Sequence, residues 1–186
     1  KDFSILDARY GDIKIISVWN NNRKVADINA FNNLEGVRML DIRGYYDHNS
    51  KKVNLDAVTE KLPIDFLNPL LHSFASGISG NATGKINFSG EFAKPVLTGS
   101  VWGENATMKI DYLQTKYKFN DSIRFDKSGI KFNGIQLRDE KGNSAVLTGS
   151  VFHKYFQDWG VDIMLKSTDC MVLNTKPKDN DLFYGI

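Results

Sequence analysis

The side chains that could support catalysis are few and scattered. Three histidines, His48, His72 and His153, lie far apart, and none is at metal-ligand spacing from another. A single cysteine, Cys170, excludes an internal disulfide or a thiolate metal cluster. His72 precedes Ser73, but no acid is placed to complete a catalytic triad. The chain therefore offers few nucleophiles and general bases, although a pair of carboxylates alone can hydrolyse a glycosidic bond.

The short ligand-binding motifs are also incomplete. Residues 80–85, Gly-Asn-Ala-Thr-Gly-Lys, superficially resemble a phosphate loop, but Ser79 and Ile86 stand where that motif needs glycine and a hydroxyl residue. We therefore interpret this stretch as a tight turn. Residues 179–181, Asp-Asn-Asp, could begin a calcium loop, but its glycine and final glutamate are absent. The sequence predicts neither a metal nor a cofactor.

Composition sets the class of protein. With 186 residues the chain is long enough for one domain of ordinary size or two small ones, and 41% hydrophobic content is enough to form a core. Basic and acidic residues are nearly balanced, with a net charge of +2, which argues against nucleic acid or an anionic membrane as the main partner. No run of 18 apolar residues occurs, and residues 1–4 do not begin a signal peptide. We expect a fragment of a longer chain.

The elements that must position any site are strands. Polar and apolar residues alternate with a period of two in runs such as 85–89, 106–112 and 116–120, which places one set of side chains on a buried sheet face. Short turn-forming segments separate the runs, and Asn133-Gly134 is the strongest hairpin signal. Because the connections are short, neighbouring strands should be antiparallel. The sequence predicts an all-β chain of ten to thirteen strands, each of about five to nine residues.

One segment departs from this alternation. Residues 63–75 place apolar side chains at helical spacing around Pro69, which predicts a short, interrupted helix. This helix either covers part of the sheet or is a core helix in an ordinary α+β domain. A glycine-rich connector follows as far as residue 80. We divide one elongated β domain, residues 1–186, into N-terminal strands (1–59), helix and connector (60–80), and a second set of strands (81–186). Within that second set, Leu-Thr-Gly-Ser-Val occurs at both 97–101 and 147–151, a weak internal repeat.

The alternating runs give the sheet a long apolar face. A monomer rarely exposes more than a few hundred Å² of contiguous apolar surface, so this face must fold into a sandwich, close into a barrel or curl into a trough that holds an apolar ligand. An outer-membrane barrel is disfavoured because the runs are short and their outward positions are charged. The candidate groove residues are Ile86, Phe88, Met108, Ile110, Tyr117, Phe119, Ile123, Phe125, Ile130, Phe132, Ile135, Leu137, Leu147, Val151, Val161, Ile163 and Leu165.

Several glycine-punctuated motifs resemble the C-terminal region of TamB-like proteins, the translocation and assembly module family with the DUF490 domain. Residues 80–90 (Gly-x-x-x-Gly-Lys-Ile-Asn-Phe-Ser-Gly) and 95–99 (Pro-Val-Leu-Thr-Gly) carry the resemblance. Residues 139–153 (Asp-x-x-Gly-Asn-x-Ala-x-Leu-x-Gly-x-Val-x-His) and 180–185 (Asn-x-x-Phe-Tyr-Gly) look like the version in Bacteroidetes members. The match covers about residues 60–186.

This resemblance implies a curled sheet shaped as a β-taco, and it implies no enzymatic activity. It also implies a periplasmic protein, anchored in the inner membrane by a segment outside this chain, with an Omp85-type outer-membrane barrel as partner. Members are linked to outer-membrane biogenesis and are thought to carry phospholipid along the trough. We therefore expect an open trough that binds or conducts acyl chains. The alternative is a closed β-sandwich that assists outer-membrane protein assembly, and in either case exposed strand edges could support self-association.

Overall fold

A computed structural model describes residues 3–5, 8–155 and 157–177. In these ranges the chain forms eleven strands and two short helical turns. The strands are β1 (Phe3–Ile5), β2 (Ala8–Asn20), β3 (Val25–Asn33), β4 (Leu40–Asp47), β5 (Lys52–Pro63), β6 (Ala75–Glu91), β7 (Lys94–Ile110), β8 (Thr115–Asp126), β9 (Gly129–Arg138), β10 (Ser144–Lys154) and β11 (Gln157–Lys166). A 3-10 turn, Asp65–Leu67, and helix α1, Asn68–Leu71, lie between β5 and β6.

The strands form one antiparallel sheet in sequence order. Each strand from β2 to β10 pairs with the next one in the sequence, and β1 extends the edge of β2 over a few residues. The ends of this order do not pair with each other, so the sheet is not closed into a barrel. The prediction of an open, all-β antiparallel sheet with one short helix is confirmed. The described strands belong to a single sheet, and the alternative of a closed sandwich stays a prediction.

Several strands are longer than the alternation predicts. Strands β6 and β7 have 17 residues each, because interruptions in the alternation fall inside strands instead of between them. The Asn133-Gly134 dipeptide is not a hairpin turn. It lies within β9, where the pairing with β10 shifts by one residue and Gly134 adopts a φ of 80°. Glycine-rich residues 76–84 likewise belong to β6, which corrects both the predicted connector and the predicted tight turn.

Three bulges mark one level across the sheet. The pairing shifts at Lys61 on β5, at Asn105 on β7 and at Gly134 on β9, and all three residues have positive φ. A bulge leaves a ladder position unpaired and bends its own strand. We call the level of these three residues the bulge line. Side chains of neighbouring strands accept the freed amides. The Lys61 amide donates to Thr83 Oγ1 at 2.9 Å, and the Asn105 amide donates to Asn120 Oδ1 at 2.6 Å.

The bulge line divides the sheet into two sides. On the hairpin side, described connections of two to four residues join the strands, at 21–24, 48–51, 92–93 and 127–128. On the capped side lie the segments 34–39, 64–74, 111–114, 139–143 and 167–177, and all of them except the four-residue segment 111–114 are longer than the hairpin connections. All the buried apolar residues of the described chain except Val25 and Val53 lie on the capped side. The closed core therefore sits beside the open part of the sheet instead of beneath it.

Candidate functional site

A continuous row of apolar residues crosses ten strands on one face of the sheet, the apolar face. Strand pairing brings one side chain or glycine from each strand into register. The members of this long row, from β2 to β11, are Ile15, Ala30, Ile42, Ala57, Ile86, Gly99, Phe125, Ile130, Val151 and Val161. With neighbouring strands about 4.8 Å apart, the row is roughly 43 Å long.

The long row is not sealed. Its end members are the most exposed, at 71% for Ile15 and 66% for Val161. The eight members between them are half-buried, and none is fully buried. Removing apolar surface from water is favourable by about 25 cal/mol per Å², so this strip keeps an unused capacity to bind apolar groups.

A second apolar row runs beside the first, towards the hairpin turns. It pairs Ile28 with Gly44, Gly44 with Leu55, Leu55 with Phe88, and Phe88 with Leu97. Leu55, Phe88 and Leu97 are half-buried. The two rows together give the hairpin side an apolar strip that is two residues wide over β3 to β7.

The internal repeat has a structural basis. Gly99 on β7 and Gly149 on β10 lie at equivalent positions on the apolar face, with φ of 133° and 116°. A Cβ atom at Gly99 would lie 2.2 Å from the Lys85 carbonyl oxygen, and one at Gly149 would lie 2.1 Å from the Asp162 carbonyl oxygen. Only glycine fits such a backbone. Each glycine is also paired across the strand with large side chains, Phe125 in one case and Phe132 in the other.

On the capped side, the apolar face is covered. Tyr117, Ile135, Leu137 and Ala145 form a buried cluster, with Ile135 only 2% exposed. Partly buried neighbours packed against this covered cluster are Ile110, Phe119, Ile123, Phe132, Leu147, Leu165 and Cys170. Cys170 belongs to the segment after β11, residues 167–177, which we call the strap. These contacts make the strap part of the core, so this part of the face has no room for a ligand without rearrangement.

Asp139 fastens the strap. One of its carboxylate oxygens accepts the Lys141 and Asn143 amides, both at 2.9 Å, and the other accepts the Met171 amide at 2.9 Å. Tyr117 donates its hydroxyl to the Met171 carbonyl oxygen at 2.8 Å, and the Asn174 amide donates to the Leu113 carbonyl oxygen. The Met171 hydrogen bond is the leading cause that lowers the pKa of Asp139. Hydrogen bonds of this kind favour the charged form, so the strap is held by an ionised carboxylate.

A second buried cluster lies near the helix. Tyr10, Met39 and Leu62 are buried, and Phe66 of the 3-10 turn packs edge-on against Tyr10 at 6.1 Å between ring centroids. The predicted helix is therefore confirmed, and Phe66 covers part of the sheet as expected. Leu70 does not, because it is 68% exposed.

The predicted groove residues fall into three groups. Three of them, Tyr117, Ile135 and Leu137, are buried in the covered cluster. Val161 and Ile163 on β11 are exposed. The half-buried remainder is Ile86, Phe88, Met108, Ile110, Phe119, Ile123, Phe125, Ile130, Phe132, Leu147, Val151 and Leu165.

The predicted set omits the N-terminal half of both rows. Ile15, Ile42, Leu55 and Ala57 stand in register with Ile86 or Phe88, yet they lie before the part of the chain that carries the family resemblance. Their signal was available, since the same alternation occurs there in a less regular form. Sequence patterning alone would have extended the groove across all ten strands.

Among the histidine, cysteine and carboxylate groups considered above for catalysis or metal binding, His72 has a backbone partner and Cys170 is partly buried. His72 Nδ1 lies 2.8 Å from the Pro69 carbonyl oxygen at the end of the helix. Burial raises the pKa of the Cys170 thiol, and this disfavours the reactive thiolate. Among residues 3–5, 8–155 and 157–177, no His, Cys, Asp or Glu side chains group in a way that could hold a metal ion. The possible calcium loop at 179–181 and the motif at 180–185 lie outside the described residues.

Neither helical turn of the described chain is long and apolar enough to cross a bilayer. Comparison of the chain with models of protein families found no match. Searches of curated proteins and of solved structures also found none. The resemblance to TamB-like proteins therefore stays a prediction that rests on the quoted motifs.

Proposed function

We propose that the protein binds phospholipid acyl chains on the hairpin side of its apolar face and serves as a conduit module for lipid. The observation that carries the proposal is the long row, in which ten consecutive strands present an aliphatic, aromatic or glycine residue and none is fully buried. A bilayer hydrocarbon core of about 30 Å is shared by two leaflets, so one chain spans roughly 15 Å. A row of roughly 43 Å therefore has length for more than one chain.

The energetics favour reversible binding. Each buried methylene contributes about 0.8 kcal/mol, so ten methylenes contribute about 8 kcal/mol. Association costs about 4–15 kcal/mol in lost freedom. The two quantities are of similar size, which suits a surface that must release its ligand. An apolar strip that lacks a polar selectivity pocket would discriminate little between acyl chains.

The cellular setting of the proposal comes from the motifs alone. By the resemblance to TamB-like proteins, we place the chain in the periplasm as part of an inner-membrane-anchored protein that supports outer-membrane biogenesis. Its partner in this proposal is an Omp85-type outer-membrane barrel, and its role is not enzymatic.

Photo-crosslinking tests the proposal directly. A benzophenone amino acid at Phe88 or Phe125 places the probe on the apolar face, whereas the same probe at Asn87 or Arg124 places it one residue away on the opposite face. After incubation with phosphatidylethanolamine vesicles, mass spectrometry should find lipid adducts at Phe88 and Phe125 only. Equal labelling of both faces would show that lipid does not select the apolar face.

A charge placed on the strip gives a second test. Phe88→Asp should lower lipid capture at Phe125 at least tenfold, because a carboxylate cannot be buried against an acyl chain without a partner. Asn87→Asp introduces the same charge on the same strand but on the opposite face, and it should leave capture unchanged. Circular dichroism of both variants checks that the sheet is intact. A Phe88→Asp variant that is folded and captures lipid normally would contradict the proposal.

A further inference from the structure

The ladder between β8 and β9 is interrupted. Pairing holds from Lys118 with Arg138 to Phe119 with Leu137 and resumes at Arg124 with Lys131, while residues 120–123 and 132–136 have no ladder partners across this gap. A cavity of about 490 Å³ opens there. It is lined by Asn105, Thr107, Lys118, Phe119, Asn120, Gln136 and Arg138. All of these residues except Phe119 and the bulge residue Asn105 lie on the opposite side of the sheet from the apolar face. The cavity therefore opens on this opposite, polar face.

Two unpaired cations stand at the rim of this cavity. Lys118 and Arg138 are direct cross-strand partners, an arrangement in which like charges repel and destabilise a sheet. Neither forms an ion pair with a carboxylate of the described chain. Arg138 makes only a long hydrogen bond of 3.4 Å to the Gly142 carbonyl oxygen. A second cross-strand pair of cations, Lys109 and Lys116, lies next to them on β7 and β8.

The carboxylate within the gap is already occupied. Asp121 accepts the Ser122 amide on one carboxylate oxygen, at 2.7 Å, and the Gln136 amide on the other, at 3.2 Å. Asn120 turns its carbonyl oxygen to the Asn105 amide, which leaves its NH₂ group as a donor. The lining thus combines two cations with neutral donors, and Phe119 adds an apolar wall.

We propose that this cavity is a phosphate-binding site, separate from the apolar strip on the other face. Arg138 supplies a planar guanidinium whose N–H groups match two phosphate oxygens, and Lys118 supplies a second charge from the opposite strand. A bound dianion would relieve the repulsion between the two cations, which explains why they lie side by side without a partner. The phosphate could belong to a free anion or to a phospholipid headgroup.

Two double variants of equal charge test the site. Lys118→Gln with Arg138→Gln removes the rim cations, and Arg124→Gln with Lys131→Gln removes the next cross-strand pair on the same two strands, outside the cavity lining. Inorganic phosphate is titrated at low ionic strength and followed by NMR shifts. We expect at least tenfold weaker binding for the first variant and a change below twofold for the second. Absence of binding to the wild type, or equal losses in both variants, would overturn the proposal.

A second arm identifies the source of the phosphate. Flotation with phosphatidylglycerol vesicles is measured for the same proteins. If vesicle binding is lost only with Lys118 and Arg138, the ligand is a headgroup; if inorganic phosphate alone shows this selective loss, the ligand is a soluble phosphate. If neither phosphate binding nor vesicle binding depends selectively on Lys118 and Arg138, any binding is general charge attraction. That result would refute the site.

Folding and the proposed lipid function are controlled separately. Removal of the like-charged pair should leave the ligand-free melting temperature unchanged or higher, while the rise caused by phosphate in the wild type should disappear. Phe88→Asp, on the opposite face, should keep wild-type phosphate affinity. The phosphate site and the apolar strip can therefore fail independently.

Discussion

The two sides of the bulge line have the same alternating residue pattern, but their apolar side chains are buried to different extents. On the hairpin side, tight turns join the strands, and the apolar rows stay half-buried. On the capped side, the strap and the segments 34–39 and 64–74 pack over the same face and bury it. The difference lies in the connections and not in the strands. An apolar face becomes core where the chain returns over it, and it stays available to a ligand where the chain does not.

The largest expected difference between the two sides is the loss of unfolding free energy when an isoleucine on each side is replaced by alanine. Ile135 and Ile130 lie on the same strand and the same face, but Ile135 is 2% exposed in the covered cluster and Ile130 is half-buried in the long row. Ile135→Ala should lower the free energy of unfolding by about 3–4 kcal/mol, and Ile130→Ala by about 1 kcal/mol, because only the first leaves a closed cavity. Urea denaturation measures both. Losses equal to within about 0.5 kcal/mol would mean that the two sides are packed alike.

A smaller, pH-dependent effect is expected where Asp139 holds the strap. Its lowered folded-state pKa means that the stabilisation is fully present above the unfolded-state value of about 3.9 and is lost as the pH falls through the folded-state value. Asp139→Asn should therefore lower the urea midpoint at pH 7 and differ little from the wild type once the pH is below the folded-state pKa. The Met171 amide should also lose at least tenfold of its hydrogen-exchange protection.

Asp126→Asn is the matched control for the strap. Asp126 also has a lowered pKa, but its carboxylate accepts the Ser128 hydroxyl and amide within an exposed turn on the hairpin side. This variant should lower the urea midpoint slightly and leave the exchange of the Met171 amide unchanged. If both variants release Met171 equally, the strap is not held by Asp139.

Alternation predicts which face a residue lies on, but it does not predict what covers that face. Ile130 and Ile135 look identical in the sequence, and the covering residue Cys170 lies more than thirty positions away in a segment without periodicity. The strap could not be predicted because its position depends on long-range hydrogen bonds such as that from Met171 to Asp139.

Turn signals were ambiguous for a related reason. Glycine and asparagine at positive φ serve a hairpin turn and a bulge equally well. At Asn133-Gly134 the local chemistry favours a turn, but continuous pairing of β9 with β10 on both sides makes the position a bulge. The open sheet and its apolar face were thus predictable, whereas the bulge line that separates its two sides was not.

The smallest expected effect concerns the bulge line itself. Lys61 has a φ of 49°, a conformation that disfavours side chains other than glycine by about 1–2 kcal/mol. Lys61→Gly removes that strain but adds about 0.5–1 kcal/mol of backbone entropy loss, so the net gain in unfolding free energy should be about 0.5–1 kcal/mol. Lys52→Gly, at an exposed position of β5 without positive φ, should instead lose about that amount. Thermal unfolding of the two variants separates them. A loss of stability at both positions would mean that the left-handed conformation of Lys61 is not a fixed part of the bulge line.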